Sequence, residues 1–486
     1  MSADPSMRKM AHQAALLSIA RIANFGLMII SPLVLVRVLT VKEFGQYREF
    51  LLYISLLGSV ASFAISESLL YFIPLHPRST WRIVRETTVL TAIISSAVVV
   101  VFAAVDLLIP GRLVGSYLVP VAVYVLLFVN VDCWETLWIA TGRSTAVMAY
   151  TAGRLAVRML VVVCVAVMTT NVSAIIWSLI GLEALRLLGA TIAWQALERS
   201  RDEPAVPGLR REQLKFCVPF GLASVLGLLS RNLGNVVITK YLGVVALAQF
   251  TIGTYADPII LIVRNSITSV ILPELVRLGT QSKDAALRFW HRSVVINCML
   301  LLPIASLMAW YAEPLVLKLF GASYRPAVPI LQWYALVIIR SCFDFSPLLR
   351  AINKTRPFMT VALVSALVNG VTLVILLPRI GVVGAAIGVV AANLADVLYQ
   401  GYCVIRLYGC GLRRLLPWTT LAKIISCTLL AAVAAFGFTW ESRGTFSGSI
   451  YGSLLYGAVF TTMVLNARVD EASLLLNRVK SRLGYT

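Results

Sequence analysis

The sequence predicts an all-α polytopic membrane protein of about fourteen transmembrane helices, built as two pseudo-symmetric six-helix lobes followed by two C-terminal helices. Three observations predict it. The composition is that of a chain solvated mostly by lipid. Apolar runs of spanning length recur from end to end. A loop motif is written twice at a nearly constant offset.

Of 486 residues, 59% are hydrophobic and 13% charged, and the mean hydropathy is +0.86. Globular chains carry about 25% charged residues. A water-solvated chain this apolar would expose large sticky patches. Crossing a bilayer takes roughly 20 apolar residues per helix, and lipid leaves backbone groups no partner outside a helix or a closed barrel. The period-two alternation of a barrel strand is absent.

The runs lie at 14–36, 47–73, 86–109, 113–140, 145–169, 173–195, 215–239, 247–275, 290–311, 327–349, 357–378, 382–407, 415–439 and 449–466. The opening "MSADPSMRKMAHQ" is polar and basic, and the first run is too long for a signal-peptide core, so it is expected to persist as helix 1. Helices 4 and 8 are long, which predicts tilt or a kink. The longest connection, "LERSRDEPAVPGLRREQLK", marks the boundary between lobes. The expected divisions are an N-lobe over 1–196, a linker over 197–214, a C-lobe over 215–408, and helices 13 and 14 with a tail over 409–486.

Net charge is +20. In a soluble chain that would suggest nucleic acid, but the basic residues are scattered in short loops, so no nucleic-acid partner is expected. They obey sidedness instead. One alternating set of loops, including both termini, holds 25 Lys and Arg, and the other set holds nine. Under the positive-inside rule both termini are cytoplasmic. The eight cysteines include no CxxC pair and sit mostly in apolar runs, as small buried hydrophobes do. His12, His76 and His291 lack metal-ligand spacing. Neither a metal site nor a cofactor is expected.

"LVRVLTVKEFGQY" (35–47) follows helix 1, and "ITKYLGVVALAQF" (238–250) follows helix 7, 203 residues later. Arg37 aligns with Lys240, Leu39 with Leu242, Val41 with Val244, Gln46 with Gln249 and Tyr47 with Phe250. A second echo, "IATGRST" (139–145) against "RAINKTR" (350–356), has an offset of 211. A repeat of six helices keeps the same topology in both halves, a transporter architecture.

These segments also carry a resemblance. "RVLTVKEFGQY", and "LLRAINKTRP" leading into "VNGVTLVILLPRIGVVGAAIGVVAAN", resemble Wzx-type polysaccharide and O-antigen flippases of the multidrug/oligosaccharidyl-lipid/polysaccharide (MOP) exporter superfamily, over roughly 10–410. The resemblance implies a MATE-like fold of two lobes around a central cavity, in the bacterial cytoplasmic (inner) membrane. It implies alternating access that carries undecaprenyl-pyrophosphate-linked oligosaccharide to the outer leaflet. The partners it implies are lipid-linked oligosaccharide, membrane lipid and the polysaccharide polymerase machinery.

Ionisable groups at bilayer depth are the informative residues. Each Arg costs about 2.5–3.5 kcal/mol at a helix centre on insertion scales and needs protein, water or a counter-charge. Arg21 with Asn24 in helix 1, Arg231 with Asn232 and Asn235 in helix 7, and Arg264 in helix 8 are the substrate-binding candidates. Guanidinium forks match a pyrophosphate, and the amides suit sugar hydroxyls. Plainer roles compete: Arg21 snorkels to the interface, and Arg264 pairs with Asp257 two turns earlier. Glu67 and Asp257 are ion-coupling candidates, for Na+ or H+. Arg340 and Asp344, spaced i,i+4, are expected to neutralise each other, as are Glu183 and Arg186. Arg154 and Arg158 are expected to partner Asp132 or Glu135, and Asn393 and Asp396 to join helices. In "PRIGVVGAAIG" (378–388) small residues predict close helix approach, and Pro32, Pro258 and Pro273 are hinge candidates.

Three functions compete. A lipid-linked oligosaccharide flippase needs a cationic site. A MATE-like drug or cation antiporter needs an acidic one. A membrane glycan polymerase or ligase needs a large external loop and a nucleophile or metal motif, and the sequence offers neither. The flippase is the reading carried forward, as a transporter and not an enzyme.

Overall fold

The computed structural model describes residues 30–108, 114, 117–141, 143–198, 203–204, 206–352, 356–442 and 444–467. Every regular element among them is helical. The described part of the first helix is 30–38 (α1). There follow α2 Val41–Ser62, α3 Leu69–Leu75, α4 Thr80–Leu108, α5 Leu118–Val131, α6 Cys133–Ala140, α7 Ser144–Thr169, α8 Val172–Glu198 and α9 Leu209–Gly253. The chain continues through α10 Asp257–Gln281, α11 Lys283–Trp310, α12 Ala312–Phe320, α13 Ala327–Ser341, α14 Ser346–Ala351, α15 Arg356–Ile380 and α16 Val382–Tyr408. The last elements are α17 Leu412–Leu415, α18 Trp418–Phe438 and α19 Phe446–Asn466.

Among the described residues, eleven helices are long and apolar enough to cross a membrane, or twelve if Val41–Ser62 and Ser66–Leu75, bent by 50°, form one broken span. This is a multi-pass membrane protein. The count of fourteen is not reached there. The first expected span begins outside the described residues, and α10, with Asp257, Arg264, Glu274 and Arg277, is not one of the eleven.

The chain divides into two compact units, Met1–Val236 and Val237–Thr486, with the division inside α9. In the first, α2 packs on α4 and α5, α5 on α8, and α7 on α8. Trp81, Trp134 and Trp194 meet edge to face with centroids 5.5–6.2 Å apart. In the second, one buried core of Trp290, Cys298, Leu301, Tyr334, Ile338 and Phe345 joins α11 and α13 to their neighbours. There α15 packs extensively on α16. A Cβ on Gly384 would stand 2.6 Å from the Leu376 carbonyl oxygen, so the glycine permits the approach that the small-residue run predicts.

Both echoes mark equivalent breaks. In the first copy α1 ends and Thr40 caps α2: the Glu43 backbone N–H donates to Thr40 Oγ1 at 3.3 Å, and the Thr40 N–H donates to Glu43 Oε2 at 2.8 Å. This is a reciprocal capping box. In the second copy, 203 residues on, Gly243 breaks α9 with φ 83° and ψ 179°, a conformation essentially reserved for glycine. Helix 4 of the prediction is α5 and α6, broken at Asp132, and helix 10 is α13 and α14, broken at Cys342–Phe345. The short second halves end at Ala140 and Ala351, at the 211-residue offset of the second echo.

Helix 2 of the prediction is also interrupted. After Ser62 the chain takes left-handed φ at Phe63 (41°) and Ala64 (54°), then a short 3-10 turn carries Glu67 into α3. One stripe of α9 braces this break. Gln213 donates to Ser68 Oγ (3.2 Å) and Thr87 Oγ1 (2.7 Å), Cys217 Sγ donates to the Ala64 carbonyl (3.7 Å), and Gly221 faces Phe63. Helix 8 of the prediction breaks elsewhere, at 254–256, where α9 gives way to α10. Pro258 therefore sits in the first turn of α10, where its missing N–H costs nothing.

Candidate functional site

In the first unit α7 presents Arg154 and Arg158 one turn apart. Arg154 stands 3.4 Å from Glu135 and 3.9 Å from Asp132, and Thr151 Oγ1 donates to Glu135 at 3.0 Å. Arg186 pairs with buried Glu183 and donates to the Tyr150 hydroxyl (2.7 and 3.1 Å), while the Tyr124 hydroxyl donates to Glu183 at 3.4 Å. The expectations for Arg154 and for Glu183–Arg186 are met. That for Arg158 is not: its guanidinium has no carboxylate within 4 Å among the described residues and lies 6.0 Å from the Tyr124 ring centroid. It lines a cavity of about 460 Å³ together with Ser55, Ser59, Ser62, Tyr124 and Asp132.

Arg231 is exposed on α9 and has no carboxylate within 4 Å among the described residues. Its neighbours form a local chain, with Asn232 Nδ2 donating to the Leu228 carbonyl (3.1 Å) and Asn235 Nδ2 to Asn232 Oδ1 (3.3 Å). The amides are thus partly engaged with their own helix. Arg21 and Asn24 lie outside the described residues. Glu67 is exposed in the turn after the break of helix 2.

In the second unit the charges join separate helices. Asp257, first residue of α10, does not pair with Arg264; Asp257 Oδ1 accepts the hydroxyl of buried Tyr334 on α13. Half-buried Arg264 stands 3.9 Å from Asp344. Asp344 lies in the break between α13 and α14, where Oδ1 accepts the Ser346 N–H at 3.0 Å. That break takes Asp344 off the helical register of Arg340, so the expected i,i+4 pair does not form. Arg340, 6% exposed, pairs with Asp396 of α16 and donates from Nε to the Asn393 carbonyl at 3.2 Å. Gln400 Nε2 completes the group by donating to Asp396 Oδ1 at 2.5 Å. Asn393 and Asp396 therefore do join helices, through Arg340.

Tyr334, Tyr124 and Tyr150 escape the sequence reading. Each reaches its charged partner across 36 to 77 residues of chain, and nothing in a helical pattern signals such a distance. That Arg158 has no carboxylate within 4 Å among the described residues is equally silent, because its spacing from Arg154 suggests a shared partner.

The polysaccharide biosynthesis protein family matches residues 34–329. No curated protein matches the chain by sequence. Among solved structures, "Lipid II flippase MurJ, inward closed conformation" is similar with a TM-score of 0.69 and 15% identity, over 94% of this chain and 99% of that one. An inward-facing multidrug resistance MATE family transporter of the MOP superfamily gives 0.50 and 15%, over 82% and 96%. A mutant MATE transporter from Vibrio cholerae gives 0.51 and 12%, over 84% and 98%. At these identities the likeness is one of fold.

Proposed function

This chain belongs to the polysaccharide biosynthesis protein family, and on that premise we propose that it transports lipid-linked oligosaccharide across the cytoplasmic membrane by alternating access. The cargo is an undecaprenyl-pyrophosphate-linked repeat unit, carried from the cytoplasmic to the outer leaflet for assembly by polysaccharide polymerase machinery. Both termini face the cytoplasm, and the protein is a transporter rather than an enzyme. The observation that carries this reading is the family match over 34–329 in a chain whose membrane-crossing helices continue far beyond it.

The placement of charge supports an anionic cargo over the cation of a drug antiporter. Asp132, Glu135, Glu183, Asp344 and Asp396 each lie within 4 Å of an arginine, and Asp257 accepts a tyrosine hydroxyl. Arg158 and Arg231 keep guanidinium forks without a carboxylate within 4 Å among the described residues. A pyrophosphate accepts such forks bidentately. Arg21 belongs to the same proposal by sequence.

Deletion in cells tests the reading. Loss of the protein is expected to trap lipid-linked repeat units in the cytoplasmic leaflet while their synthesis continues. Unchanged polysaccharide export after deletion would overturn it.

A further inference from the structure

The linker that the sequence places between the lobes is fastened, at its far end, to α4 of the first unit. Ser79 Oγ donates to the Pro204 carbonyl at 3.0 Å. The Arg82 backbone N–H, in the first turn of α4, donates to Glu203 Oε2 at 3.0 Å. A carboxylate at that position takes an orphan donor and balances the positive end of the helix dipole. Gly208 then turns the chain with φ 72°, in the left-handed region that suits glycine. Leu209, 4% exposed, enters the core of Phe72, Ile83 and Trp134. One residue on, Arg210 pairs with Glu86 of α4.

Between these attachments lies an open cavity of about 360 Å³. Arg82 and Glu86 line it from α4, Val206 and Gly208 from the linker, and Arg210 and Arg211 from the start of α9. Three arginines and one glutamate give the lining a net charge of +2. Glu86 is matched by Arg210, while Arg82 and Arg211 have no carboxylate within 4 Å among the described residues. The backbone N–H groups of Arg211 and Glu212 already donate to the Gly208 carbonyl, at 3.0 and 3.2 Å. The guanidinium groups, rather than the helix end, therefore carry the site. Isolated basic residues on this face need no explanation beyond sidedness. These differ because two separate elements, fastened to each other on both sides of the cavity, bring them to one opening.

We infer that this cavity binds a phosphoryl dianion between Arg82 of α4 and Arg211 of α9, and that its occupancy clamps the entry of α9 onto α4. A dianion matches the net charge of the lining, and each guanidinium offers a planar fork to phosphate oxygens. A soluble phosphate monoester and the headgroup of phosphatidic acid present the same chemistry. None of the arginines proposed for the cargo lines this cavity, and the inference does not depend on the transport reading.

The test is hydrogen exchange on the full-length protein in phosphatidylcholine nanodiscs, titrated with glycerol 3-phosphate. Sodium chloride at equal ionic strength is the control for screening. A second disc carries phosphatidic acid and receives no soluble phosphate. The ligand is expected to slow exchange several-fold over 206–213 and over the first two turns of α4, with saturation. Arg82→Gln and Arg211→Gln are each expected to weaken binding roughly tenfold, the loss of one charged hydrogen-bond donor at an open site. Arg82→Lys, which keeps the charge, is expected to lose less. Arg143→Gln removes a basic residue that does not line the cavity and is expected to bind as the wild type.

Protection by glycerol 3-phosphate that Arg82→Gln and Arg211→Gln both weaken supports the site and identifies a soluble ligand. Protection only in the phosphatidic acid disc, with the same dependence, supports the site and identifies the lipid headgroup. The inference is overturned by the absence of protection in both discs, or by equal protection from sodium chloride. It is also overturned if both glutamine variants bind as the wild type with unaltered thermal unfolding. An equal loss in Arg143→Gln shows general attraction to a basic surface and overturns it too.

Discussion

Gly221 of α9 stands against the carbonyl oxygen of Phe63, at the point where α2 turns into left-handed backbone; a Cβ on the glycine would lie 2.6 Å from that oxygen. The contact ties the interruption of helix 2 to the helix that braces it. Gly221→Ala is expected to push α9 away or distort the break, at about 1–3 kcal/mol, the usual range for overpacking. Thermal unfolding in detergent reads this directly. An unchanged midpoint would mean that α9 does not brace the break.

Thr40 and Gly243 hold equivalent places in the two copies of the loop and turn the chain by different chemistry. The consequence is an asymmetry under exchange. Thr40→Gly is expected to cost only a few tenths of a kcal/mol, because glycine is a tolerable N-cap. Gly243→Thr is expected to cost about 1–3 kcal/mol, because a β-branched residue is forced into a glycine-only region. Equal stability of the two variants in a denaturant titration contradicts this.

Arg340 is buried and depends on Asp396. Asp396→Asn leaves its charge unmatched, at about 3–5 kcal/mol for breaking a buried pair from one side. Membrane-inserted protein is expected to drop sharply. The double variant Arg340→Met with Asp396→Leu is expected to recover much of it. Failure of the double variant to improve on the single one would show that the pair does more than neutralise charge.

Arg231 and Arg264 are proposed to meet the anionic cargo. Replacing either with Gln is expected to abolish complementation of polysaccharide export in a deletion strain, at unchanged protein level by immunoblot. Arg264 stands 3.9 Å from Asp344, so Asp344→Asn is the control for simple loss of that pair. Wild-type export in both arginine variants removes them from the cargo site.

Ion coupling is proposed for Glu67 or Asp257. In proteoliposomes, Glu67→Gln or Asp257→Asn is expected to leave translocation insensitive to an imposed Na+ or H+ gradient that drives the wild type. Equal gradient dependence in all three proteins eliminates both residues as coupling groups.

The sequence by itself determined the class, the family and the repeat. Lipid solvation demands long apolar runs, so helices announce themselves locally. The two echoes also stood at the true breaks, because turn chemistry is local: Thr40 and Glu43 are three residues apart, and Gly243 acts alone. Pairing of neighbours on one helix was legible for the same reason, as with Glu183 and Arg186. The tertiary structure decided which charges meet. Arg340 took Asp396 instead of Asp344, Asp257 took Tyr334 instead of Arg264, and Arg158 took no carboxylate within 4 Å among the described residues. Helical spacing reports only which face a side chain shares. Its partner is set by which helix packs there and by breaks, such as the one at Cys342–Phe345, that rotate a residue off its expected face.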